Sequence, residues 1–385
     1  MLFAKVKSRM RSLTKKANRK KIALITTLGI NIGDEFIRDG IIYAIENAFP
    51  EIEFTYLMFH KHNQFHFYKH GHFLNFIKRG RNYVARCLGP STVMDECDAI
   101  IQCGAPIFWA NCSNSKGWQH HLWCKVLKRY MGWKQILNIG GGSSYLYVDA
   151  IENDFRVTDS DANFIKYMLD LCTVTTVRDR LSQKIVEGLG YNAQLVCCPA
   201  FLNGLVLGGA KKREGDYIVI NYMELAGHYT YGMPTYSQEW AKTLSRCVES
   251  LSKAGHKIVF LCHNKKEENL AKSTFSQFPA VLPANRLEYL KLAAGAKAGV
   301  CNRLHCAVVL ASLGIPSVSI GNDSRLFMVS ELGLPIVFAK DAQADELYGY
   351  VEKMLVDDNR PKELAALQKR TLEQYIEIFL KYLIV

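Results

Sequence analysis

Short apolar runs alternate along the chain with longer segments of helical period, and the alternation continues through most of its length. The spacing predicts a strand over 21–27, a glycine-punctuated turn over 29–33, a helix over 34–49 ended by Pro50, and a strand over 52–59. Apolar runs at 99–104 and 135–140, each ending in glycine, and at 174–177 and 194–198 extend the series, with helix-forming sequence between them. Gly140-Gly-Gly142 before Ser143-Ser144 reads as a turn lining a cleft, without the GxGxxG spacing of a dinucleotide site. The stretch 205–215, carrying Gly208-Gly209 and Lys211-Lys212-Arg213, reads as a linker. Beyond it the rhythm restarts, with strands expected at 217–221, 257–262, 298–301 and 317–320. Helices are expected at 238–254, 287–294, 304–313, 345–355 and 361–385.

Alternation of this kind predicts an α/β protein of two doubly wound Rossmann-like domains facing a cleft, a GT-B-like architecture. The expected division is a basic arm at 1–20, an acceptor domain at 21–205, a donor domain at 216–345 and C-terminal helices at 346–385. Ligand loops at the carboxyl ends of both sheets would then face each other, with acceptor on the first wall and a phosphorylated donor on the second.

Composition adjusts this picture in a few places. No run of eighteen apolar residues occurs, and the arm lacks the apolar centre of a secretory signal. The 12 cysteines include no CxxC pair, so free thiols in a reducing cytoplasm are expected. The net charge of +12 is uneven: residues 1–21 hold nine lysines and arginines and no acid. A second island, 54–94, holds six basic residues, nine aromatics and no acid. Basic groups beside aromatic anchors suit an anionic membrane surface or a phosphorylated acceptor, placing the protein at the inner face of the plasma membrane as a peripheral component. A solvated arm and a basic loop are the plainer reading. Nucleic acid is set aside because no RNP, zinc-finger or helix-turn-helix pattern occurs.

Candidate chemistry concentrates in Cys301-Asn-Arg-Leu-His-Cys306, where a buried strand turns into a helix ended by Gly314 and Pro316. Arg303 and His305 fall at the first turn of that helix, whose free N–H groups and dipole favour an anion. Arg303 adds a fork of donors, and His305 a proton carrier with a pKa near neutrality. The plainer reading of His305 is a structural histidine bonded to the backbone. His62, His66 and His70 would share one face if their segment were helical, but lysines and no acids surround them, so no metal is expected.

The chain resembles the polysaccharide pyruvyl transferases. The likeness is carried by Asn31-Ile-Gly-Asp-Glu35, Val177-Arg-Asp-Arg-Leu-Ser182, Pro199-Ala-Phe201, Arg303-Leu-His305 with Gly314-Ile-Pro316, and Asn322-Asp323-Ser324-Arg325. The resemblance implies a GT-B fold that moves the enolpyruvyl unit of phosphoenolpyruvate onto two hydroxyls of a sugar, making a ketal and releasing phosphate in surface polysaccharide assembly. It implies His305 and Arg303 as catalytic residues, Arg178, Arg303 and Arg325 as donor cations, and Asn31 and Asp34 as acceptor contacts. No cofactor is implied, and the acceptor would be a sugar on a lipid or nucleotide phosphate carrier. Arg178 could instead pair with Asp179, and Asn31 and Asp34 could merely shape a turn and cap a helix. Cys198 stands where the family commonly has an acid, and Arg325 where a lysine is common. The competing expectation is a glycosyltransferase holding a nucleotide-sugar diphosphate at the same helix terminus.

Overall fold

The computed structural model describes residues 19–29, 31–69, 91–151, 155–208, 215–227 and 237–384. The first sheet comprises β1 (Arg19–Thr26), β2 (Glu53–His60), β3 (Asn63–Lys69), β4 (Ala99–Cys103), β5 (Pro106–Trp109), β6 (Gln135–Ser144), β7 (Val174–Val177) and β8 (Gln194–Leu195). Its order is β3-β2-β1-β4-β6-β7-β8, with β5 alongside β6. The second comprises β9 (Tyr217–Asn221), β10 (Lys257–Leu261), β11 (Ala280–Val281), β12 (Ala296–Cys301), β13 (Ser317–Gly321) and β14 (Ile336–Phe338), in the order β11-β10-β9-β12-β13-β14. Every pairing is parallel except β2 with β3.

The strands are nearly continuous in apolar residues because both of their faces are covered. Ile22 and Leu24 of β1 join one apolar cluster, while Ala23 and Ile25 join another on the opposite face. The first of these clusters also takes in Val219 of β9 and Cys301 of β12, so the two lobes share a core. Between the sheets stand α1 (Ile32–Ala48), the turn Pro199–Leu202 and the buried α7 (Leu304–Ser312). The other long helices are α2 (Asp159–Asp170), α3 (Arg180–Gly188), α4 (Ser237–Lys253), α5 (Lys265–Thr274), α6 (Arg286–Ala293), α8 (Ala344–Leu355) and α9 (Arg360–Tyr382).

Helix α1 starts where Asn31 caps it, its side chain accepting from Gly33 N at 3.1 Å. It stops at Phe49, because a residue before proline is driven out of helical geometry. Helix α9 follows the second lobe yet returns to the first. Tyr375 donates to the Cys197 carbonyl at 2.8 Å, and Gln368 Nε2 bridges the carbonyls of Phe201 and Ser312 at 2.6 and 2.8 Å. Ser324 closes a second seam: its hydroxyl lies 2.8 Å from that of Ser143, and its N–H donates to the Tyr145 carbonyl at 2.8 Å. Arg286 of α6 forms a third, pairing with Asp39 of α1.

Three expectations need correction. Residues 140–144 continue β6 instead of turning, because Gly140 takes a φ of 72° and the strand bends there without ending. The start of the basic island is an antiparallel hairpin, so His62 sits in a turn and His66 in a strand and the helical face imagined for the histidines does not exist. Part of the expected linker is helical, at Asn203–Val206. The arm at 1–18 and residues 70–90 lie outside the described residues, as does the linker at 209–214. No helix among the described residues is long and apolar enough to cross a membrane.

In each sheet the chain leaves one strand in one direction and later resumes on its other side, between β1 and β4 and between β9 and β12. A crevice opens outside the carboxyl ends at such a switch point. Here the two crevices meet.

Candidate active site

Residues of both lobes line the shared cleft: Asn31, Asp34, Lys61, Trp118 and Arg178 from the first, and His263, Arg303, His305 and Arg325 from the second. All six residues singled out from the sequence are therefore brought together.

The second lobe's wall is the start of α7. This helix is apolar all round and buried, which fixes its position between the sheets. Arg303 occupies its N-cap, and no side chain caps the helix. Its backbone N–H donates to Asn221 Oδ1, at the end of β9, at 2.7 Å. Its guanidinium donates through Nε and Nη2 to Glu267 Oε1 at 2.8 and 2.6 Å. Glu267 also accepts from His263 N at 2.9 Å. Burial would raise the Glu267 carboxyl, but His263 and Arg303 outweigh it and hold it below the usual range. Arg303 thus faces the cleft with its charge already balanced by a buried carboxylate. Arg325 is also balanced, donating twice to Asp323 at 2.7 and 2.6 Å.

Arg178, at the end of β7, differs. The residue is 2% exposed, and the polar side-chain atom beside it is Cys198 Sγ, 3.9 Å from Nη1. No carboxylate lies within ion-pair distance of it among the described residues. The neighbouring Asp179 is committed elsewhere, capping α3 through Ser182 N at 2.8 Å and accepting from Ser143 Oγ at 3.0 Å. Gly142 makes room for the guanidinium, since a Cβ there would come within 2.5 Å of Nε.

His305 crosses from α7 to the first lobe. It packs on Gly33, where a Cβ would collide with Nδ1, and its Nε2 lies 4.0 Å from Cys198 Sγ. Desolvation, then Arg178, push the imidazole down to about 3 against the pull of Asp34. The near-neutral value expected from the sequence is therefore corrected: His305 is uncharged at neutral pH. Cys198 stays a protonated thiol, since burial raises it more than Arg178 lowers it.

Asp34 pairs with Lys61 at 3.2 Å. Burial would raise its carboxyl, but Lys61, with help from a Thr27 hydrogen bond, holds it low and ionised. Asn31 caps α1 and lines the cleft as well. Lys61, Trp109, Trp118, His263 and Glu267 are site residues that the sequence reading missed, while His62, weighed there only as a metal ligand or part of a solvated or acceptor-facing loop, lines the cleft. Asn264-Lys-Lys-Glu267 carried a signal for the last: it has the spacing of a capping box, with Glu267 N donating to Asn264 Oδ1 at 3.0 Å and the Asn264 side-chain Nδ2, in place of its backbone, donating to Glu267 Oε1 at 2.8 Å.

Two Rossmann-like lobes whose strand-end loops converge on one cleft define a GT-B-like enzyme fold. Similar solved structures include S. aureus MnaA with UDP, at a TM-score of 0.56 and 11% identity, over 94% of this chain and 97% of that one. UDP-GlcNAc 2-epimerase from Neisseria meningitidis bound to UDP-GlcNAc gives 0.55 and 11%, over 93% and 100%. The Methanocaldococcus jannaschii enzyme in complex with UDP-GlcNAc and UDP gives 0.50 and 13%, over 92% and 99%. At these identities the likeness is one of fold. A search of curated proteins gives no significant match. The family profile described as Polysaccharide pyruvyl transferase matches residues 31–324, and the chain belongs to that family.

Proposed function

We propose that this chain moves the enolpyruvyl group of phosphoenolpyruvate onto two hydroxyls of one sugar, forming a pyruvate ketal during polysaccharide biosynthesis. The observation that carries the reading is Arg178, a buried guanidinium without a carboxylate partner among the described residues, in the same cleft as the uncapped start of α7. A buried charge left unmatched is costly, and a bound anion supplies the missing partner. The cleft encloses about 190 Å³. The donor reading asks only that a small anion sit between Arg178 and the start of α7, both of which line this cleft.

The chemistry needs little beyond anion binding and proton handling. Protonation of the donor's methylene carbon makes C2 electrophilic, one hydroxyl adds there, phosphate leaves, and the second hydroxyl closes the ring. Donor trianion plus diol gives ketal carboxylate plus hydrogen phosphate. One hydroxyl proton ends on the methyl carbon and the other on phosphate, with no net release. Arg178 holds donor negative charge, with the N–H groups of α7. His305, neutral at the start, is assigned as the proton relay; donor anions beside it offset Arg178 and make its protonation easier. Arg303 and Arg325, already paired, hold the wall in shape and orient donors toward it, and Asn31 and Asp34 take acceptor hydroxyls.

Incubating the protein with phosphoenolpyruvate and candidate glycans should release phosphate and add an acid-labile ketal. Phosphoenolpyruvate should also raise the thermal midpoint where UDP- and ADP-sugars do not. Stabilisation by a nucleotide sugar alone would replace this reading with the glycosyltransferase. The acceptor's carrier, cytoplasmic action at the membrane face and the basic arm belong to the same proposal. Liposome association unchanged on deleting residues 1–18 would remove the membrane part.

A further inference from the structure

The aromatic side of the first wall plays no part in the donor chemistry. Trp118 begins the short helix Trp118–His121, is partly exposed and lines the cleft. Around its indole stand the Lys61 ammonium, 5.4 Å from the ring centroid, the His62 ring at 5.1 Å and Trp109, edge-on, at 6.4 Å. Trp109 ends β5 and lines the same cleft. Partial burial, with Lys61 and His60 nearby, pushes His62 down to about 4, so its ring is uncharged at neutral pH. The Asp34–Lys61 pair lies along the same wall.

A cleft-lining indole with one strong donor, Lys61, over its ring and one strong acceptor, Asp34, paired to that donor matches a particular ligand shape. A pyranose ring carries its C–H bonds on its faces and its hydroxyls around its rim, so it can stack on an indole and still bond to charged groups at the edge. A second anion would meet the Asp34 carboxylate here, whereas a hydroxyl donates to it.

We propose that Trp118, backed by Trp109, is the platform on which the acceptor's sugar ring stacks, with rim hydroxyls reaching Asp34 and Lys61. The inference rests on the pyruvyl transferase reading only in calling that sugar the acceptor.

The test is saturation-transfer NMR on the full chain with methyl glucoside, galactoside and mannoside, and with uridine as a flat non-sugar ring, without phosphoenolpyruvate. At least one glycoside should receive saturation at the C–H protons of one ring face. The signal should fall about tenfold in Trp118→Ala and return in Trp118→Phe, a loss of roughly 1.4 kcal/mol. Should Trp118→Ala melt early, Trp118→Leu fills the space without an aromatic face and carries the same comparison. No glycoside contact in the wild type, undiminished contact in the folded Trp118→Ala or Trp118→Leu variant, or saturation of uridine in place of the sugars overturns the platform. Glycoside binding that depends on Trp118 while phosphoenolpyruvate neither binds nor reacts would leave the platform standing and remove the donor reading. In turnover, Trp118→Ala should raise the acceptor KM about tenfold and leave the KM for phosphoenolpyruvate within about twofold.

Discussion

The two walls of the cleft solve the same electrostatic problem in opposite ways. On the second lobe, Arg303 and Arg325 meet buried carboxylates, Glu267 and Asp323, and their positions are set before any ligand arrives. On the first lobe, Arg178 is more deeply buried than either and, among the described residues, has no carboxylate within ion-pair distance, with the neutral Cys198 thiol beside it. A paired arginine contributes shape and donor direction, whereas an unpaired one contributes net charge. The lesson is that three arginines in one cleft do not amount to three equal anion sites.

The sharpest way to break this contrast is to remove a carboxylate from the balanced wall. Glu267→Gln takes the carboxylate from the partly buried Arg303 and should cost about 1–3 kcal/mol, lowering the thermal midpoint by roughly 2–6 °C. An unchanged midpoint would mean that Arg303 is not balanced as described. Arg178→Met, which keeps most of the buried volume, should do the reverse. It removes an uncompensated charge, so the midpoint should hold or rise, while kcat/KM for phosphoenolpyruvate falls roughly 100-fold or more. Loss of both activity and stability would place Arg178 with the structural pairs.

A pH series probes His305 between the walls. Its folded value, about 3, lies below its ordinary 6.5, so the unfolded chain binds more protons between those values and stability falls as the pH drops below about 6.5. By pH 5 this contribution is at most about 2 kcal/mol, and His305→Asn should flatten the slope of midpoint against pH. A slope unchanged in that variant would show that His305 is not held neutral. The mildest test gives Arg178 a partner. Cys198→Asp should weaken phosphoenolpyruvate binding about tenfold and move the acid limb of kcat/KM upward by about one pH unit, because a carboxylate there satisfies the guanidinium and favours the imidazolium. If neither quantity moves, the thiol is not what leaves Arg178 available.

The same contrast explains what could be read from the sequence. The second wall is written in one continuous stretch: β12, the Arg303-Leu-His305 turn and an apolar helix closed by Gly314 and Pro316. Local periodicity and helix-end chemistry suffice for that. The first wall is assembled from the ends of β1, β2, β5 and β7, contacts that no local pattern encodes. Lys61 therefore passed as part of a basic loop, His62 drew notice only as a metal ligand or part of a solvated or acceptor-facing loop, and Trp109 and Trp118 left no periodic signal. The residue types at Arg178 and Arg303 were legible, but their difference was not. It depends on Glu267, from a helix whose polar sequence was passed over, and on Asp179 turning to cap its own helix. The value for His305 was missed for a similar reason: desolvation and Arg178 act on it through space, not along the chain.

Helix α9 has a consequence for the order in which the molecule is completed. The Cys197 carbonyl belongs to the part synthesised first, yet the hydroxyl that satisfies it is on Tyr375. During translation the early lobe must hold its edge near Pro199–Leu202 open to solvent or chaperone until α9 emerges to cover it. A chain truncated before that helix would keep the Ser143–Ser324 and Asp39–Arg286 seams but leave the Cys197 and Phe201 carbonyls without these donors.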